Sequence, residues 1–110
     1  MKATIEELKE VELVRGARAR FFSGEKMMFS YIRLDPGAVL PMHSHPHEQM
    51  GYVIEGSFVL VADGEAVTLK KGDVYALRGG QQHEAVAGDD GALVLDVFSP
   101  PREEYLEMVK

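Results

Sequence analysis

Short segments with the residue pattern of β-strands fill most of this chain, and glycine-containing turns separate them. The segments are Ala17–Phe22, Met27–Leu34, Met50–Ile54, Ser57–Ala62, Glu65–Leu69 and Ala92–Phe98. Within this series Asp63-Gly64 is typical of a tight hairpin turn. Many short strands at regular spacing predict an all-β fold, either a sandwich or a barrel.

Both ends of the chain carry weaker helical signals. Thr4 and Glu7 have the spacing of a capping box, which predicts a short helix at the amino end. After Pro100-Pro101, the segment Arg102–Val109 has acidic residues in its first turn and apolar residues at helical spacing. A chain of 110 residues has the length of one domain. We therefore expect a single domain over residues 1–110, with a barrel core at about 17–98 and a helix at about 102–109.

The composition excludes several classes of protein. Twelve basic side chains against eighteen acidic ones give a net charge of −6, which argues against nucleic acid and anionic membranes as partners. The absence of cysteine excludes disulfides, thiolate metal sites and cysteine nucleophiles. No signal-peptide pattern opens the chain, so a cytoplasmic location is expected. The apolar segment Val11–Val14 predicts a strand edge that needs covering, and a homodimer would cover it.

Three of the four histidines, His43, His45 and His47, lie in one short stretch, and the fourth is His83. Imidazole is the commonest metal ligand in proteins. Because strand side chains alternate, a His-x-His pair on a strand points both rings to one face. We predict a metal site here rather than histidines exposed on a surface turn, and we expect His83, from elsewhere in the chain, to supply a further ligand.

The residues after His45 must reverse the chain if any of them is to reach the same ion, because metal–ligand bonds are only about 2 Å long. Pro46 cannot continue a strand ladder and favours a turn. The prediction is that a strand ends with His45 and the next begins with Gln49. Spacing alone leaves open whether His47, Glu48 or Gln49 supplies a further ligand.

Two motifs then resemble those of the cupin family. The first is formed by Gly37, His43, His45, Gln49 and Gly56 at the family's spacing. The resemblance implies a small antiparallel jelly-roll barrel, a double-stranded β-helix, that holds an ion inside.

The second cupin motif follows after a 15-residue spacer and contains Gly72, Gly80 and His83. Arg78 replaces its usual proline and Ala87 its closing asparagine. In the first motif the usual glutamate is replaced by glutamine. The ligands that the resemblance implies are His43, His45, Gln49 and His83.

Glutamine in place of glutamate changes the chemistry that such an ion can perform. Three neutral imidazoles and the amide oxygen of Gln49 leave the full charge of a divalent ion in place. That set favours Lewis-acid polarisation of an oxygen-rich ligand. It weighs against a ferrous oxygenase, which uses two histidines and one carboxylate. Nickel, zinc, iron and manganese all suit imidazole, so the metal stays open.

One carboxylate interrupts the apolar segment Ala92–Phe98. By alternation Val94, Asp96 and Phe98 share one face. If that face looks into the barrel, Asp96 is a candidate proton-transfer group; a charged residue facing outward is an equally ordinary outcome. Arg102 could bind a carboxylate through both arms of its guanidinium, although a solvated arginine is the commoner case.

A closer resemblance favours the catalytic reading. His43–Gln49 together with Asp96–Glu103 resembles the pectin-degradation cupins of the KdgF type, which convert 4,5-unsaturated monouronates into linear keto acids. This resemblance implies active-site roles for Asp96, Phe98 and Arg102, and a small acidic sugar as substrate. The alternatives are a cupin dioxygenase or another isomerase acting on a small acid, and a non-catalytic sugar- or metal-binding sensor.

Overall fold

The computed structural model describes residues 2–110 and contains eight strands and one α-helix. The strands are β1 Val11–Val14, β2 Ala17–Ser23, β3 Met28–Leu34, β4 Val39–His43, β5 Glu48–Ala62, β6 Glu65–Lys70, β7 Val74–Leu77 and β8 His83–Ser99. The helix, α1, is Glu103–Met108. The described residues are therefore predominantly β, as the pattern of short segments predicts.

All pairings are antiparallel, and the two long strands β5 and β8 connect the whole sheet. The main order is β1-β2-β3-β8-β5-β6, with β4 on β8 and β7 on β5. Residues 92–98 of β8 pair with β3 and with the first part of β5. Residues 83–87 of β8 pair with the second part of β5, and β4 pairs with this same part of β8. Each long strand thus contributes to two layers, with the interior between them.

The continuity of β5 and β8 corrects two turns expected from sequence. Glu55-Gly56 and the segment Gly88–Gly91 lie inside the long strands rather than between shorter ones. Gly56 has a φ of +73°, and a Cβ there would overlap the backbone of Gly91, which faces it on β8. Glycine here therefore permits a sharp bend and a close crossing of two strands. The residue types that predict a turn are the same ones that allow a strand to bend.

The helical ends are shorter than expected. A single 3₁₀ turn at Ile5–Glu7 follows Thr4, whose side chain makes no capping hydrogen bond, so the capping box predicted there is absent. Helix α1 packs back onto the barrel, and Tyr105 stacks on Phe21 of β2 with ring centroids 4.8 Å apart. Within residues 2–110, no helix is long and apolar enough to cross a membrane.

Alternating burial along β2, β3 and β8 builds the core. Every second residue of β3 is buried, so Met28, Ser30, Ile32 and Leu34 face inward. Aromatic and aliphatic side chains from β2, β5 and β8 fill the rest of the interior. A cavity lies within this interior, and its lining combines apolar residues with the polar side chains of His43, Gln49, His83, Asp96 and Arg102.

Candidate metal centre and adjoining active site

The first wall of the cavity carries three histidines. His43 ends β4 and pairs in register with His83, which begins β8. His45 lies two residues beyond the end of β4, so the prediction that it ends the strand is wrong. The turn nevertheless brings its ring into the same cluster. One ligand atom from each of the three imidazoles lies within 4.8 Å of the others.

Backbone carbonyls determine which ring nitrogens face the centre of this cluster. Each of the three rings places Nδ1 at hydrogen-bond distance from a carbonyl oxygen. The acceptors are those of Pro41, His47 and Gln81, at 2.7, 3.1 and 2.8 Å from His43, His45 and His83, respectively. An Nδ1–H that donates to a carbonyl leaves the lone pair on Nε2, which is the form that binds a metal.

Gln49 lies beside the histidine cluster and supplies a test of whether these residues fit a metal. It is 7 % exposed, and its Oε1 lies 3.0 Å from Nε2 of His45. A neutral imidazole has one N–H, yet both ring nitrogens of His45 face oxygen acceptors. Burial, followed by the nearby Arg102 charge, lowers the pKa of His45 to about 4. One of these two contacts therefore lacks a hydrogen atom. In the tautomer whose Nδ1–H donates to the carbonyl of His47, the lone pair of Nε2 faces Oε1 of Gln49, an arrangement that a shared cation would satisfy.

The other candidate ligands of the same stretch lie outside the cluster. His47 is half-buried, with its ring centroid 5.5 Å from that of His45, and its Nδ1 has no hydrogen-bond partner among the described residues. Glu48 is exposed. Burial also lowers the pKa of His83, which favours the neutral imidazole that binds a metal. The geometry brings together His43, His45, Gln49 and His83.

Asp96 lies on the second wall of the cavity and faces inward. It is 7 % exposed and lines the same cavity as His43 and His83. Its neighbours in register are small, namely Ser30 on β3 and Gly51 on β5. Burial raises the pKa of Asp96 to about 6, against the opposing effect of hydrogen bonds from Tyr75 and Gln49. A buried carboxylate of this kind is typical of proton-transfer sites.

Arg102 lines the same cavity as Asp96 and is also only 7 % exposed. Its guanidinium carbon lies 5.0 Å from the ring centre of Phe98 and 3.9 Å from that of Tyr105. Its Nε and Nη2 lie 2.7 and 2.5 Å from Oε1 of Glu104, and the hydrogen bond from Arg102 lowers the pKa of that carboxyl. A guanidinium that already holds an exposed carboxylate at the cavity can exchange it for another.

Sequence reasoning did not identify Tyr75, which contacts both Gln49 and Asp96. Its hydroxyl donates to Oδ1 of Asp96 and accepts a hydrogen bond from Nε2 of Gln49 at 3.3 Å. From the sequence alone, a tyrosine on a strand is expected to pack its ring against neighbouring residues and to leave its hydroxyl to a hydrogen bond of no special function. The alternation of β7 places Tyr75 and Leu77 on one face, but only the register with Gly51 of β5 shows that this face meets Asp96.

Comparisons with known proteins agree with this architecture. The family model described as a cupin domain matches residues 30–98. The pectin degradation protein KdgF of Dickeya dadantii is 33 % identical over 97 residues, which cover 86 % of this chain and 88 % of the relative. The structure of KdgF from a Halomonas species has a TM-score of 0.84 at 31 % identity, covering 91 % of this chain and 93 % of that one. An RmlC-like cupin from Shewanella frigidimarina gives a TM-score of 0.87 at 30 % identity, with 94 % and 93 % covered.

Proposed function

The chain belongs to the cupin domain family, and we propose that it is a metal-dependent enzyme of pectin or alginate breakdown that converts 4,5-unsaturated monouronates into linear keto acids. The observation that carries the proposal is the second wall of the cavity. Asp96 and Arg102 are both buried and line the same cavity as His43 and His83 of the three-histidine cluster. A module that only binds metal has no need of a buried carboxylate and a buried guanidinium facing the ion.

The ligands in this proposal are His43, His45, Gln49 and His83, holding one divalent ion. The family and the histidine cluster support divalent metal binding, and nickel, zinc, iron and manganese all suit such a donor set. Since every ligand is neutral, the bound ion supplies an undiminished positive charge that polarises oxygen atoms of the substrate.

The proposed reaction is an isomerisation with no net gain or loss of atoms. The bond between C1 and the ring oxygen breaks, and a carbonyl forms at C1. The ring oxygen stays on C5 as the oxygen of an enol. The C4–C5 double bond of this enol is then replaced by a carbonyl at C5 and a new C–H bond at C4. One proton leaves the C1 hydroxyl and one arrives at C4. Asp96, buried and facing the cavity, is the group that accepts and returns this proton.

Arg102 binds the substrate carboxylate in this proposal, and Phe98 holds the guanidinium in place. Two N–H groups of Arg102 already point at one carboxylate, that of Glu104. Phe98 faces Arg102 on one side and the edge of the His45 ring, 5.6 Å between centroids, on the other. It therefore forms the apolar floor between the metal ligands and the carboxylate site.

The direct test is an assay of unsaturated galacturonate with protein purified without an affinity tag and reconstituted with each of the four metals. The ultraviolet absorbance of the conjugated double bond should disappear, at a rate proportional to bound metal up to one equivalent. Binding of the sugar with no loss of absorbance for any metal would favour the sensor alternative and contradict the proposed function.

We also propose that the protein has a small acidic sugar as its ligand and no nucleic acid or membrane partner. A cytoplasmic location stays a prediction. We further propose that the protein is a homodimer. Among residues 2–110, strand β1, Val11–Val14, pairs only with β2 and leaves one edge open. Elsewhere in the sheet, β3, β5 and β7 carry exposed apolar side chains, Phe29, Met50, Tyr52 and Val74. Light scattering at micromolar concentration should give twice the monomer mass of 12.2 kDa. A monomer mass would contradict the dimer.

A further inference from the structure

The hydroxyl of Tyr75 is a buried polar group to which neither the metal ligands nor the proposed proton transfer assigns a task. It lines the cavity between the two walls, within hydrogen-bond reach of a metal ligand on one side and of the carboxylate on the other. Its ring packs edge-on against Phe58, with centroids 5.8 Å apart. Packing alone would be served equally well by phenylalanine.

A glycine makes room for this phenol. Across the sheet, Asp96, Gly51 and Tyr75 lie side by side on β8, β5 and β7, and Gly51 is the middle member of the row. A Cβ at Gly51 would overlap the ring of Tyr75 and would lie 2.5 Å from Oδ1 of Asp96. Because Gly51 has no side chain, the ring of Tyr75 can occupy this space and reach the carboxylate of Asp96.

The hydrogen atoms available give this contact a direction. A phenol has one O–H, and a carboxylate only accepts, so the proton of Tyr75 belongs to Asp96. The phenol oxygen then has only lone pairs to offer to Gln49, which must present its NH₂ group. With the NH₂ group of Gln49 directed at Tyr75 and at Asp96, Oε1 of Gln49 faces the histidine cluster, 3.0 Å from Nε2 of His45.

We propose that Tyr75 is a positioning residue that fixes Oε1 of Gln49 toward the metal and anchors Asp96 by one carboxylate oxygen. Its effect on Gln49 is independent of the reaction, whereas its effect on Asp96 rests on the proposed function. The arrangement also accounts for glutamine at position 49. Glutamate could donate nothing to the phenol, and two carboxylates would compete for one proton.

The first test uses Tyr75→Phe, which keeps the ring and removes the hydroxyl. The control is Tyr52→Phe, the same change on an exposed tyrosine of β5. Both variants are titrated with Co²⁺ alone in competition with a chelator, and the absorption spectrum of the bound Co²⁺ is recorded. Because the NH₂ group of Gln49 then keeps only Asp96 as an acceptor and its amide is held less firmly, Tyr75→Phe should bind Co²⁺ about 10- to 100-fold more weakly with an altered spectrum. Wild-type affinity and spectrum in Tyr75→Phe would overturn the proposal.

A double variant separates positioning of the amide from general support of the fold. Either oxygen of a glutamate can bind a metal, so glutamate at position 49 has no wrong orientation for Tyr75 to prevent. In the Gln49→Glu background, Tyr75→Phe should therefore change Co²⁺ affinity by less than about twofold. An equal loss in both backgrounds would mean that Tyr75 acts only through packing, and would overturn the proposal.

Kinetics at saturating metal test the contact with Asp96. Tyr75→Phe should lower kcat on unsaturated galacturonate by about 10-fold or more while changing KM by less than about twofold. Unchanged kcat would overturn the role toward Asp96. If the wild-type protein itself fails to turn over this sugar, the proposed function fails, and the Co²⁺ measurements still decide the role toward Gln49.

Discussion

The two walls of the cavity differ in charge and in how their residues are distributed along the chain. The metal wall is formed by three histidines, of which His43 and His45 lie in one seven-residue stretch with Gln49. Gln49 itself lies on β5, in the same layer of the sheet as Asp96, and none of these four side chains is acidic. The facing wall takes charged side chains from the end of β8 and the residue after it, Asp96 and Arg102. In the proposed function, the three histidines and Gln49 hold an ion, whereas Asp96 and Arg102 handle the proton and the carboxylate of the substrate. Mutations on the two walls should therefore have separable effects.

The largest effect is expected on the metal wall. His83→Ala removes one imidazole from the cluster and should weaken metal binding by more than about 100-fold. Loss of a ligand should cost more than loss of a residue that only orients a ligand, which typically weakens binding by about 10- to 100-fold. Turnover should fall in proportion to the metal lost. The matched control is His47→Ala, a histidine of the same region outside the cluster, which should retain its metal. Full metal content in His83→Ala, measured by elemental analysis, would contradict the assignment of the ligands.

A smaller effect of a different kind is expected from Arg102→Ala. Loss of a charge-assisted pair of hydrogen bonds should raise KM for the acidic sugar by about 10- to 100-fold, with a smaller change in kcat. Metal content should stay at the wild-type level. Arg102→Lys keeps the charge without the forked geometry and should recover part of the affinity.

Glu104→Gln is the control on this same wall, because it removes the carboxylate that occupies Arg102 without touching the guanidinium. Its KM should be no higher than that of the wild-type protein. If Arg102→Ala instead loses metal, the two walls are not independent, and the comparison between them fails.

The difference between the walls also explains how much could be predicted from the sequence. The histidine cluster is encoded locally by the His-x-His spacing, and two motifs then identify the cupin fold, which the family match and the structural neighbours confirm. The turn after β4 is less regular than the spacing predicts, since His45 lies outside the strand. The rings still converge because β4 and β8 pair through His43 and His83.

The contacts of Asp96 on the second wall depend on the register in which the strands pair, and no short stretch of sequence specifies that register. Alternation places Asp96 and Phe98 on one face but does not say whether that face is the inner one. Tyr75 reaches Asp96 only because Gly51 stands between them in the paired strands. The bends that allow β5 and β8 to serve two layers likewise resemble turns when read as sequence, since glycine is common to both.

The most direct test of the account is to measure metal content and turnover in one preparation of Asp96→Asn. The asparagine side chain keeps an oxygen that can accept the hydrogen bond of Tyr75, so the metal wall should be undisturbed and its metal content equal to that of the wild-type protein. Without a carboxylate to move the proton, kcat on unsaturated galacturonate should fall by about 10²- to 10⁴-fold. Wild-type turnover by the metal-loaded variant would contradict the account, because the second wall would then have no part in the chemistry.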